Sequence, residues 1–117
     1  MENRENYFSA ASIGLTEIDF TKIVSVFERF PVLEKVVLYG SRAKGNYRQY
    51  SDIDIVIKGL GLNLKIQQEI ELAIDDLYLP YNLDISIWSK ISNPELLAHI
   101  SRVGIEIYKN NSFSQKS

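Results

Sequence analysis

No cysteine occurs in the 117 residues, which removes both a disulfide framework and a thiolate metal site, the usual markers of a small secreted scaffold. Long apolar runs are missing as well. No stretch approaches the ~20 residues of a membrane span, and the opening MENRENYFSAASIG has no apolar signal core. A cytoplasmic location without membrane contact is the expectation. Nor is there an excess of positive charge: 13 Lys and Arg stand against 15 Asp and Glu, with a pI near 5.4. Such a chain lacks the basic surface that grips a nucleic-acid backbone over a long footprint, so extensive nucleic-acid binding is not expected and any bound phosphate should be a small one, held locally. No internal repeat is visible. What is present is the balance of an ordinary globular protein, 45% hydrophobic and 24% charged. The length suits one core that buries about two-thirds of the unfolded surface. We expect a single domain over 1–117, with loose ends over about 1–13 and 110–117.

Between those ends the chain reads as alternating elements. TEIDFTKIVSVFERF sets Thr16 and Asp19 at capping spacing and lines Phe20, Ile23, Val24 and Phe27 along one helical face until Pro31 ends the pattern. Lys35–Tyr39 (KVVLY) reads as a buried strand, and Ile53–Lys58 as a second, closed by GLG. From Asn63 to Tyr78, Ile66, Ile70, Ala73, Ile74 and Leu77 trace another helical stripe that Pro80 breaks. Leu83–Trp88 (LDISIW) alternates as a third strand. Asn93, Pro94 and Glu95 supply an N-cap, a first-turn proline and an acid suited to the helix dipole, predicting a helix over about Pro94–Arg102. GIEIY adds a short edge strand. The fold class is α/β (α+β): a small mixed sheet with helices packed on one face and the other face left free.

YGSRAKGNYRQYSDIDIVI, Tyr39 to Ile57, carries the chemistry. Side chains alternate across a strand, so Ile53, Ile55 and Ile57 share the core face while Asp52, Asp54 and Val56 share the other. The same parity sends Leu83, Ile85 and Ile87 inward and Asp84 outward with Ser86 and Trp88. If these strands are neighbours, three carboxylates converge. Converging anions repel unless a divalent cation neutralises them, and hard oxygen ligands without His or Cys select Mg2+, or Mn2+, over zinc. Just upstream, a Gly40-Ser41 turn leaves a strand and opens a short helix, where backbone N–H groups and a hydroxyl can receive phosphate oxygens. Arg42 and Lys44 follow in that turn; Arg42 either contacts phosphate or pairs with Asp52 or Asp54.

Gly40-Ser41, ten residues, then Asp52-Ile53-Asp54 resembles the signature of the polymerase beta nucleotidyltransferase superfamily. The fuller string GSRAKGNYRQYSDIDIVI is similar to its minimal MNT-type subgroup, found in bacterial and archaeal toxin–antitoxin pairs, and the layout through NPELLAHISRVGIEIY extends the likeness over nearly the whole chain. Tyr39 and Lys44 depart mildly, standing where phenylalanine and arginine are common. The resemblance implies that Asp52 and Asp54 hold metal ions, two Mg2+ in all, and that Asp84 is the third acid, beside the nucleophile. Gly40 and Ser41, with Arg42 as a further candidate, hold the triphosphate. It implies ATP as substrate and transfer of AMP to a hydroxyl.

Duller readings stand beside these. An Asp-x-Asp in a strand is, alone, most often a solvated edge, and it is the glycine-serine turn at this spacing that changes the reading. Lys44, Arg48 and Lys58 read as solvated charges. His99 reads as a packing or partner residue, and Trp88 either borders the nucleotide or packs under the last helix. The resemblance makes a separately encoded helical HEPN-type protein the expected acceptor and partner, the chain acting as its antitoxin in a homo- or hetero-oligomer. The alternatives are a nucleotidyltransferase subunit modifying a small molecule such as an aminoglycoside, and a non-catalytic module that binds its partner.

Overall fold

The protein, seen in a computed structural model, is described over residues 9–114, with side chains through Ser112. The first long helix, α1 (Glu17–Phe27), starts where Thr16 Oγ1 accepts the Asp19 N–H at 3.0 Å, as the capping spacing predicts. It buries Ile23, Val26 and Phe27. β1 (Lys35–Tyr39) leads into a single helical turn, α2 (Ser41–Lys44), and a loop returns the chain to β2 (Ile53–Lys58). α3 (Leu64–Asp75), whose Asn63 cap accepts the Ile66 N–H at 2.9 Å, crosses over to β3 (Leu83–Ile87). Trp88–Lys90 form a 3-10 turn; α4 (Pro94–Val103) and β4 (Ile105–Lys109) follow.

The sheet order is β3-β2-β1-β4, with β2 and β3 parallel and the two other pairs antiparallel. A parallel pair needs a crossover, and α3 supplies it. α1 and α3 cover the face formed by Val36, Leu38, Ile53, Ile55, Ile57, Ile85, Ile87 and Ile107, and this is the main core. A mixed sheet with helices on that face agrees with the strand parity. The opposite face, expected to be free, is free only in part. α4 lies across it, and Ile100 joins Tyr39 and Val56 in a second cluster edged by Val37, Trp88, Ile91, Leu96 and Val103. The reason is that Val37, Val56 and Tyr39 also point this way and need an apolar cover.

The expected loose ends need correction where they are described. Ala10–Ile13 form a 3-10 turn, and Ala10 and Ile13 are 3% and 1% exposed within the main core, because small and apolar side chains seal the sheet beside α1. At the other end, the Asn110 N–H donates to Glu34 O at 2.9 Å, its Nδ2 donates to Pro31 O at 3.3 Å, and α5 (Asn111–Ser114) adds one turn. Residues 1–8 and 115–117 lie outside the described residues. Among the described residues no helix is long and apolar enough to cross a membrane.

Candidate nucleotidyl-transfer site

The site is built at the end of β1. Gly40 leaves the strand with φ 77°, a conformation that side-chain-bearing residues rarely adopt. A Cβ there would run into Asp54 Oδ2. Glycine is therefore required both by the turn and by the closeness of the acid. The turn it makes leads from β1 into Ser41 and α2, with Gly40 packed against Asp54.

Register then aligns the carboxylates. Tyr39 pairs with Asp54 across the antiparallel β1–β2 ladder, and Asp54 pairs with Asp84 across the parallel β2–β3 ladder. Adjacent strands lie about 4.8 Å apart, so Asp54 and Asp84 stand side by side on the face away from Ile53 and Ile55. Asp52 immediately precedes β2. Burial raises the Asp54 carboxyl above its ordinary pKa; the charges of Asp84 and then Asp52 push the same way, and His99 opposes them. The Tyr39 phenol is also raised, first by burial; a hydrogen bond with Ser86 counters that, and Asp54 and Asp84 add to it. The His99 ring meets Tyr39 edge-on, with centroids 6.1 Å apart at 82°. Asp52 and Asp84 are exposed, whereas Asp54 is half-buried near Tyr39 and His99.

Among the described residues, no group of three or more His, Cys, Asp or Glu side chains closes around one point to cage an ion. Magnesium does not ask for a cage. It takes one or two carboxylates and fills its remaining positions with water and substrate phosphate. Asp54 is an anion disfavoured where it stands, its neighbours are hard oxygen donors, and a cation would reverse the penalty. The donor set fits a divalent ion held openly.

Arg42 is the correction. It neither points out over the Gly40-Ser41 turn nor pairs with Asp52 or Asp54, because its guanidinium is 1% exposed and turned inward, donating to the carbonyls of Ile13, Gly14, Gln49 and Ser51. An arginine so engaged has no N–H left for a nucleotide. Trp88 sits under α4 with Lys58 Nζ 4.4 Å from its ring centroid, which is the packing alternative. Lys44 and Arg48 are exposed. The residues that sequence reasoning missed are Tyr39 and His99 near Asp54, and Ser86, which hydrogen-bonds Tyr39. Ser86 carries a signal, since it shares parity with Asp84. The other two depend on strand pairing and on where α4 lands.

The family model described as polymerase beta, nucleotidyltransferase matches residues 21–113. A protein of Methanocaldococcus jannaschii, to which protein adenylyltransferase activity is ascribed, is 31% identical over 78 residues, covering 64% of this chain and 79% of its own length. Among solved structures, a chain in a toxin–antitoxin complex with AMP-PNP superposes with TM-score 0.65 over 82% of this chain and 77% of that one, at 19% identity. Another, from a tri-AMPylated Shewanella oneidensis HEPN toxin in complex with MNT antitoxin, gives TM-score 0.60 at 17% identity, covering 85% and 76%. At these identities the structural likeness is one of fold.

Proposed function

The chain belongs to the polymerase beta nucleotidyltransferase family, and from that premise we propose that it moves AMP from ATP to a hydroxyl of a separately encoded HEPN-type toxin, acting as the antitoxin. The observation that carries this reading is the registered pair Asp54–Asp84 beside the Gly40-Ser41 turn, with Asp52 one step ahead. Support for the acceptor comes from the relative with ascribed protein adenylyltransferase activity and from fold neighbours solved with AMP-PNP or an AMPylated HEPN toxin.

In the proposed reaction the acceptor oxygen forms a bond to the α-phosphorus, the bond to the bridging oxygen breaks, pyrophosphate leaves, and the acceptor proton is released. Divalent ions, when bound, would neutralise the triphosphate and lower the pKa of the acceptor hydroxyl. Asp52 and Asp54 would hold the ion on the triphosphate side, and Asp84 the one beside the acceptor. Gly40 and Ser41 would orient the triphosphate, since the first N–H groups of a helical turn have no acceptor within it. Positioning and charge neutralisation supply most of the rate in such chemistry.

The test is to purify the chain with its copurifying helical partner, add ATP and magnesium, and weigh both proteins intact. The partner should gain one or more AMP units. Asp54→Asn and Asp84→Asn should abolish the gain, Asp84→Asn leaving ATP binding nearly intact while Asp52→Asn weakens it. A partner neutralised without any gain in mass would select the binding-module alternative, and transfer only to an added aminoglycoside would select the small-molecule one.

A further inference from the structure

We infer that Arg42 is a positioning residue for this site, holding the chain that delivers Asp52 and Asp84 without touching the nucleotide. Its guanidinium lies at the meeting point of the segments that carry the acids. Nε and Nη2 both donate to Ser51 O, at 3.2 and 2.9 Å. That carbonyl belongs to the peptide plane whose nitrogen is the N–H of Asp52, so gripping it twice fixes how Asp52 enters β2. Nη2 also donates to Gln49 O at 3.1 Å, and Nη1 reaches back to Ile13 O at 2.9 Å and Gly14 O at 3.3 Å.

Two tyrosines close the guanidinium's faces, with centroids 5.2 Å away for Tyr47 and 5.0 Å for Tyr81. Tyr81 stands three residues before Asp84 and is itself anchored, its OH donating to Asp19 Oδ2 at 3.2 Å. Asn82, next in line, accepts the Ile53 N–H at 2.9 Å, which ties the approach to β3 to the start of β2. Gly14 is shaped for the same purpose: at φ 81° it lets the guanidinium and Tyr47 come close, and a Cβ there would lie 2.6 Å from Arg42 Nη1 and from Tyr47 Cε1. Arg42 is also the residue after Ser41, so one planar group sets the spacing between the phosphate-binding turn and the carboxylates. A lysine keeps the charge but has no fork to span these carbonyls.

The inference rests on Asp52 being a metal ligand, as proposed above, and its primary readout is binding of Mn2+ alone, followed by the resonance of the free ion. Arg42→Lys should weaken Mn2+ binding about ten- to a hundredfold, the usual effect of losing a group that orients a ligand. Tyr47→Leu should weaken it less but in the same direction. Ile70→Val, a main-core change that costs stability away from the acids, should leave it unchanged. In transfer assays the Arg42 variant should both lose kcat and raise KM for ATP, because Asp52 serves the ion on the triphosphate side. Wild-type Mn2+ affinity in folded Arg42→Lys would overturn the inference, and if that variant does not fold, unchanged affinity in Tyr47→Leu does the same. A wild-type protein that binds no Mn2+ would sink the nucleotidyl-transfer reading and this inference together, whereas binding that is insensitive to both variants sinks this inference alone.

Discussion

At Asp54, burial and two neighbouring carboxylates push the pKa above its ordinary value, with burial the larger cause. The folded protein therefore holds this proton more tightly than the unfolded chain. The stabilisation that follows is fully present below the unfolded carboxylate pKa of 3.8 and is lost as pH rises through the raised folded value. At neutral pH without metal the folded state thus carries a disfavoured anion. Asp54→Asn should raise the melting temperature at pH 7 in the presence of chelator, and the gain should shrink to nothing as pH falls toward about 4. Added magnesium should favour the wild type instead. Thermal melts across that range check the sign; a gain that does not vary with pH would mean that the charge of Asp54 is not its source.

Among the elements, α4 changes the picture most, because it turns an open sheet face into a half-covered one and brings His99 beside Tyr39 and Asp54. Its local stability comes from Asn93, whose Oδ1 accepts the Glu95 N–H at 2.8 Å and the Leu96 N–H at 3.3 Å. Its attachment comes from Ile100, 3% exposed against Tyr39 and Val56. Asn93→Ala should cost about 1 kcal/mol. Ile100→Ala should cost about 2–5 kcal/mol, the range for emptying a buried aliphatic position. Urea unfolding measures both, and an Ile100→Ala variant as stable as the parent would mean that α4 does not pack there.

For the whole molecule, nucleotide and metal should act as one ligand. The acids repel without a cation, and the triphosphate brings charge that only a cation makes tolerable beside them. Magnesium and ATP together should therefore raise the melting temperature by several degrees, since a ligand at a hundred times its Kd adds about 2.7 kcal/mol to the folded state. Either alone should do much less. Scanning fluorimetry distinguishes the cases, and no shift with both at millimolar levels would favour an inert binding module.

Sequence alone determined most of the elements and the family, because both are written in short-range patterns. Alternation in IDIVI and LDISI assigned the side chains of β2 and β3 to their faces, and caps at Thr16 and Asn93 marked two helix starts. Gly40-Ser41 followed by Asp52 and Asp54 pointed to the family that the match over 21–113 shows. The tertiary structure decided what those patterns cannot encode. Parity says which face a residue joins but not what covers that face, so the seat of α4 and the surround of Asp54 were out of reach. Ala10–Ile13 looked like a loose end because so short a segment has no period, and its burial comes from contacts with residues distant in the chain. Arg42 was misread for a related reason. An arginine next to a glycine-serine turn suggests an anion contact, but its long stem lets it turn inward, and the carbonyls of Ile13 and Gly14 that it meets lie 29 and 28 residues away.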